Sequence, residues 1–207
     1  MASWRLRREM ILTIGEIRRV LEDLHRKSAR SVNSRMNLVI FRLSACCGLR
    51  ASELCGLALD DVRVASDRPT IRVPKAIAKG KKARVVPLTF DAGTLNDLRA
   101  WKIFRQSQGA RGSDLFVCSQ HRDTLGHKID RRNARMRFKV ACKCLGGERQ
   151  SQLTIHHGRH SFISHALHGK KSIVEVRDAA GHASLATTSL YAHLVSDDDD
   201  TIGNLFS

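Results

Sequence analysis

The stretch Gly181-His182-Ala183-Ser184-Leu185-Ala186-Thr187-Thr188-Ser189-Leu190-Tyr191-Ala192-His193-Leu194 carries the single tyrosine of a 207-residue chain. A tyrosine ordinarily packs its ring and turns its hydroxyl to a polar partner. This one sits between two histidines on a segment whose apolar spacing predicts a helix over 184–194, so a phenol and two proton-carrying rings share one short element. Chemistry at that phenol would need further groups from elsewhere in the chain.

Composition points to a globular domain with a polyanionic partner. The chain has 42% hydrophobic residues, enough for a core, and 36 Lys and Arg against 20 Asp and Glu, a formal net charge of +16. Such a charge attracts nucleic acid first. No apolar run is long enough to span a bilayer, and Met1 to Arg8 has basic residues without the apolar stretch of a secretory signal, so the expected setting is cytoplasmic, at the nucleoid in a prokaryotic host, with no membrane partner. Cys46, Cys47, Cys55, Cys118, Cys142 and Cys144 show no paired CxxC spacing and read as reduced, buried thiols; no metal is expected.

Helical signals dominate. Thr13-Ile14-Gly15-Glu16 has the form of a capping box, and Ile17, Val20, Leu21 and Leu24 follow at helical spacing, which predicts a helix over 14–26. A second, buried helix runs through Val32, Met36, Val39, Ile40, Leu43 and Cys47 and stops at Gly48. The pattern then turns β-branched: Val62 to Val64, Thr70 to Val73 and Arg84 to Leu88 predict three short antiparallel strands. Further helices are expected near Leu95 to Phe104, over 129–145, and around 158–167, 173–180 and 184–194.

Four places carry chemistry. Gly48-Leu49-Arg50-Ala51-Ser52-Glu53-Leu54 puts an arginine and a carboxylate three residues apart, just after a buried helix. Lys79-Gly80-Lys81-Lys82-Ala83-Arg84 is a cationic turn between strands, able to reach a nucleic-acid backbone. His156, Arg159 and His160 lie at i, i+3 and i+4 on one helical face; the spacing resembles a zinc helix, but His157 stands where a zinc protease has its glutamate. The fourth is the segment of His182 and Tyr191. On the helix over 129–145, Arg131, Arg132 and Arg135 are candidate phosphate contacts, with Lys81, Lys82 and Arg84 of the turn.

In that order these segments resemble the tyrosine recombinases, or phage-type integrases, whose catalytic domains have G-L-R-x-x-E-L, a basic β-hairpin with a lysine, an H-x-x-R-H box and G-H-x-x-x-x-T-T-x-x-Y-x-H. Gly158 departs from the pattern, standing where the family usually has an apolar residue. The resemblance implies a mainly α fold with a small three-stranded antiparallel sheet. The catalytic domain is expected over 13–195, after a basic segment 1–12 and before an acidic tail over 196–207, in which Ile202, Leu205 and Phe206, at i, i+3 and i+4, form an apolar anchor. With the first helix near residue 13, no separate N-terminal DNA-binding domain is expected within this chain.

By the same resemblance, Arg50 and Arg159 would be paired phosphate ligands, Tyr191 the nucleophile, His156 its proton acceptor, Lys79 the donor to the leaving group, and His182 a further donor to the phosphate. Glu53 would orient His156. The residue types suit a phosphodiester: two guanidiniums offer permanent, forked positive charge in place of a metal, and a covalent phosphotyrosine conserves the energy of the broken bond without ATP. The implied partner is double-stranded DNA bearing specific recombination sites, bound as a homotetramer on paired sites and as a monomer or weak associate without DNA. No cofactor is implied. A type IB topoisomerase-like nicking-closing enzyme, or a non-catalytic basic DNA-binding module, remains the alternative.

Overall fold

A computed structural model describes residues 6–192. The tail beyond, with its acidic run and apolar anchor, and the first five residues lie outside the described part. Helix α1 (Ile14–Ser28) begins with the anticipated capping box: Thr13 Oγ1 accepts from Glu16 N, and Glu16 Oε2 accepts from Thr13 N. Its Ile17, Val20, Leu21 and Leu24 are buried, as the spacing requires.

Helix α2 (Val32–Phe41) continues through a π-helical turn, Arg42–Cys46, in which every residue is buried. This element is the spine of the core. It ends at Gly48, whose φ of +67° suits glycine, and where an added Cβ would fall 2.4 Å from the ring of Phe162. The short α3 (Ala51–Leu54) follows directly, so that Arg50 emerges at its first turn. Across the spine lies α7 (Ile155–His168), anchored by the Ser44 hydroxyl, which donates to the Ile155 carbonyl at 2.8 Å. Gly158 is explained here. A Cβ at that position would stand 2.5 Å from Ser44 Oγ and 2.8 Å from the Phe138 ring, so glycine lets α7 approach the spine and the segment of Phe138 closely.

The sheet has the expected three strands, β1 (Val62–Arg63), β2 (Thr70–Val73) and β3 (Arg84–Pro87), in that order and antiparallel. Ile71 pairs with both Val62 and Val86, and these three side chains are buried, while Arg72 and Val85 face outward. Helix α4 (Ala92–Ser107) packs Leu98 and Trp101 into the core.

Two expectations need correction. The basic helix over 129–145 is α5 (Arg131–Ala141), capped by Asp130 and followed by a 3-10 turn, Cys142–Leu145. The helix over 184–194 is only α9 (Leu185–Ser189); Tyr191 lies in the turn after it, its N–H donating to Thr188 O. Two consecutive β-branched threonines and a serine are weak helix formers, and the turn serves to place the phenol. The segment between α4 and α5 carried no periodic signal. It is held instead by single tertiary bonds, among them Phe116 N to Leu57 O at 2.7 Å and Trp101 Nε1 to Phe116 O at 2.7 Å. Helices α6 (Gly147–Gln152) and α8 (Ile173–Ala180) complete the domain. No described helix is long and apolar enough to cross a membrane.

Candidate active site

The C-terminus of α8 organises the site. Gly181 ends the helix in the left-handed conformation, with φ +66°, and the carbonyls of Ala179, Ala180 and Gly181 face a group of arginines. Each takes one guanidinium: Arg84 Nε donates to Ala179 O at 2.8 Å, Arg159 Nη2 to Ala180 O at 2.6 Å and Arg50 Nη2 to Gly181 O at 3.4 Å. The negative end of the helix dipole and these carbonyls thus gather three cations from β3, α7 and the start of α3.

Arg159 is almost fully buried, and its other terminal nitrogen donates to Gly48 O. Burial, then the neighbouring charges of Arg50 and Arg84, push its guanidinium down to about 9, still a cation at neutral pH. Glu53 has no exposed surface. Burial opposes its ionisation, but hydrogen bonds and charge from Arg84, then Arg50, outweigh it and hold the carboxyl at about 2. Its two oxygens accept from Arg84 Nη1 and Nη2, both at 2.7 Å, from Arg50 Nη1 at 3.0 Å and from the Arg50 backbone N–H at 2.8 Å. Two sequence expectations are therefore revised. Glu53 orients Arg50 rather than His156, because its oxygens are occupied by guanidiniums. Arg84, expected on the DNA surface, turns inward with a side chain only 7% exposed, because a buried carboxylate lies within its reach.

Tyr191 is buried beside this group, 5% exposed, and its hydroxyl is 2.8 Å from His160 Nδ1. Burial raises the phenol above its ordinary value, with Arg159 and Arg50 acting in the opposite direction. His160 is pushed down to about 4 by burial, then by His157, His156 and Arg159, and is a neutral ring at pH 7. His182 stacks against the tyrosine ring at 6.0 Å between centroids, and its Nδ1 is 3.0 Å from the hydroxyl of buried Thr188. Burial, then Arg159, Arg50 and Arg84, bring His182 to about 4.

His156 stands at the rim, one turn before His160, and is lowered by the partial burial of its ring, then by Arg135, Arg159, Arg50 and Lys79. The histidine bonded to the phenol is thus His160, which belongs to the H-x-x-R-H box but had no role assigned from sequence. Thr188 was missed in the same way; the Thr-Thr pair was its only signal. Lys79 lies on an exposed 3-10 turn and lines, with Lys82 and His182, a pocket of about 570 Å³ between the hairpin and the α8–α9 junction. Lys81 and Lys82 are exposed on the same turn, and Arg131, Arg132 and Arg135 are exposed on α5. Five of the six cysteines are buried, and Cys144 is partly so.

This arrangement has the architecture of the tyrosine recombinase catalytic domains. A profile of the phage integrase family matches residues 11–197, and the chain belongs to that family. Tyrosine recombinase XerC of Pseudomonas putida strain KT2440 is 35% identical over 163 residues, covering 78% of this chain and 49% of the relative. Tyrosine recombinase XerC of Corynebacterium glutamicum is 33% identical over 155 residues, 75% of this chain and 46% of the relative. The chain therefore spans about half the length of the curated relatives it matches. Among solved structures, XerA recombinase superposes with a TM-score of 0.71 at 24% identity, covering 96% of this chain and 62% of that one. XerH site-specific recombinase bound to a palindromic difH substrate, in a post-cleavage complex, gives a TM-score of 0.67 at 25% identity, with 88% and 49% covered.

Proposed function

We propose that this chain is the catalytic domain of a site-specific DNA recombinase that cuts and rejoins strands through a phosphotyrosine. The observation that carries the reading is one buried tyrosine that is bonded to His160, stacks on His182 and feels the charges of Arg159 and Arg50, which the end of α8 holds beside it. Among the described residues Arg159 has only carbonyls as hydrogen-bond acceptors, so its charge is available to a phosphodiester anion entering beside Arg50. Tyr191 Oη attacks phosphorus, the bond to the 5′ oxygen breaks, and the new ester joins phosphorus to the phenol oxygen. The phenol proton passes to His160 Nδ1, whose basicity rises when a phosphate anion binds nearby. Lys79 supplies a proton to the departing 5′ oxygen, and His182, with His156 at the rim, donates to the nonbridging oxygens. A second 5′-hydroxyl reverses the sequence of steps, rejoining the same strand or a new one.

XerH, at 25% identity, is bound to its difH site, which supports double-stranded DNA as the partner here. Lys81, Lys82, Arg131, Arg132 and Arg135 would neutralise phosphates along the approach, and strand exchange would require four protomers on two paired sites. The test is incubation with a nicked suicide duplex carrying candidate sites from the DNA flanking the gene, followed by denaturing electrophoresis. A covalent protein–DNA adduct, and recombinant junctions with paired sites, are expected. Nicking-closing without junctions would favour the topoisomerase-like alternative, and binding without an adduct a non-catalytic module.

A further inference from the structure

Arg84 turns inward where its hairpin neighbours Lys79, Lys81 and Lys82 turn out. Its donors divide between two elements of the site. Both terminal nitrogens engage Glu53, and Nε holds the Ala179 carbonyl. Arg50, whose side chain is 19% exposed, is held by two groups, Glu53 and the Gly181 carbonyl. Arg84 grips the first directly and the second through its neighbourhood: a Cβ at Gly181 would fall 2.7 Å from Arg84 Cδ, so the α8 terminus rests on the Arg84 stem.

We propose that Arg84 is a positioning residue that aims the Arg50 guanidinium and fixes the junction carrying His182. The reason is one of hydrogen-bond capacity. Glu53 is a fully buried carboxylate that must be satisfied by cations. Because the Arg84 fork occupies both oxygens, Arg50 gives Glu53 a single terminal nitrogen and keeps donors for a phosphate. Without that fork, Glu53 draws Arg50 into a two-pronged pair and removes those donors from the substrate. A lysine at position 84 keeps the charge but cannot cover both oxygens.

This inference rests on Arg50 acting as a phosphate ligand, and the experiment separates the two. Single-turnover cleavage of the suicide duplex, at saturating protein, is compared with DNA affinity over a series of salt concentrations. Arg84→Lys should lower the cleavage rate on the order of 10²-fold while leaving Kd and its salt slope unchanged. In an Arg50→Lys background, the same change should cost less than about 3-fold, because the two act by one route. Additive losses, or an effect confined to Kd and the salt slope, overturn the proposal. Should Arg84→Lys fail to fold, Arg84→Gln carries the same test, because its amide also cannot cover both Glu53 oxygens, and wild-type cleavage by that variant overturns the proposal equally. A wild-type protein that forms no adduct defeats the functional reading instead. Side-chain ¹⁵N NMR of the DNA-free protein then still decides the positioning: the Arg50 Nε resonance should shift in Arg84→Lys, and an unmoved resonance rejects it.

Discussion

Two buried arginines of this domain, Arg42 and Arg159, are 3% and 5% exposed, yet their surroundings differ in kind. Arg42, on the spine, is bonded to two carboxylates, Asp91 at 2.9 Å and Asp97 at 2.7 Å. Burial weighs against its charge, but Cys46, Asp97 and Asp91 together raise its pKa. Arg159 is bonded to two carbonyls, and its pKa is lowered. A fully paired buried cation joins elements together, whereas a cation oriented by neutral acceptors keeps its charge for something that arrives later. Net charge and burial alone make the two indistinguishable; only their partners separate structure from chemistry.

The largest effect should come from the group that the Arg159 side serves. Tyr191→Phe, which removes one hydroxyl, should abolish the covalent adduct while DNA affinity stays near wild type; any adduct in the variant removes Tyr191 as nucleophile. On the other side, Arg42→Ala leaves Asp91 buried without its cation, and Asp97, which is half-buried, with His25 alone, and should cost about 3–5 kcal/mol of stability. Chemical denaturation measures this, and a loss below about 1 kcal/mol would show that the ion pair does not hold the spine. Arg159→Lys retains charge but loses the fork, and cleavage should fall on the order of 10²-fold or more. Wild-type rates would place Arg159 with Arg42 as a structural residue.

Acid should sharpen the contrast further. His160 and His182 titrate at about 4 in the folded chain, below the ordinary histidine value of about 6.5, so between those limits the unfolded chain binds more protons. Stability should thus fall as pH drops from about 6.5 towards 4, modestly because both rings are partly exposed. Glu53, held at about 2, has the same sign in a lower window, from its ordinary value of about 4.5 downward. Melting temperatures of His160→Gln should show a flatter upper window and an intact lower one; equal slopes would reject the assignment. The smallest effect belongs to the outward-facing cations. Arg132→Ala and Arg135→Ala should each reduce the salt slope of DNA binding by about 1, with single-turnover cleavage at saturation unchanged. A lost rate with an unchanged slope would move these residues from the DNA surface to the site.

The elements were legible where the physics is local. The capping box of Thr13 and Glu16, the period of Ile17 to Leu24 and the alternation of Ile71 and Val73 each act within a few residues, so spacing alone reveals them. The motifs containing Arg50, Arg159, His182 and Tyr191 stood out for a different reason: their order along the chain resembles that of the tyrosine recombinases, and the fold brings these side chains to one place. The segment between α4 and α5 was not legible, because it is held by isolated long-range bonds such as that of Trp101 to Phe116 O.

By itself, then, the sequence determined a basic, mainly helical domain with a small antiparallel sheet, and the set of groups from which a site could be made. Tertiary structure decided which of those groups meet. His160 and His156 share one helical box, yet only the turn after α9 brings the phenol to His160 Nδ1. Arg84 shares a hairpin with Lys79, Lys81 and Lys82, yet a buried carboxylate 31 positions earlier turns it inward. The pattern along a chain encodes which face a side chain takes, but a guanidinium's partner depends on which donors and acceptors have been stripped of water around it, and that is settled only when distant elements close on one another.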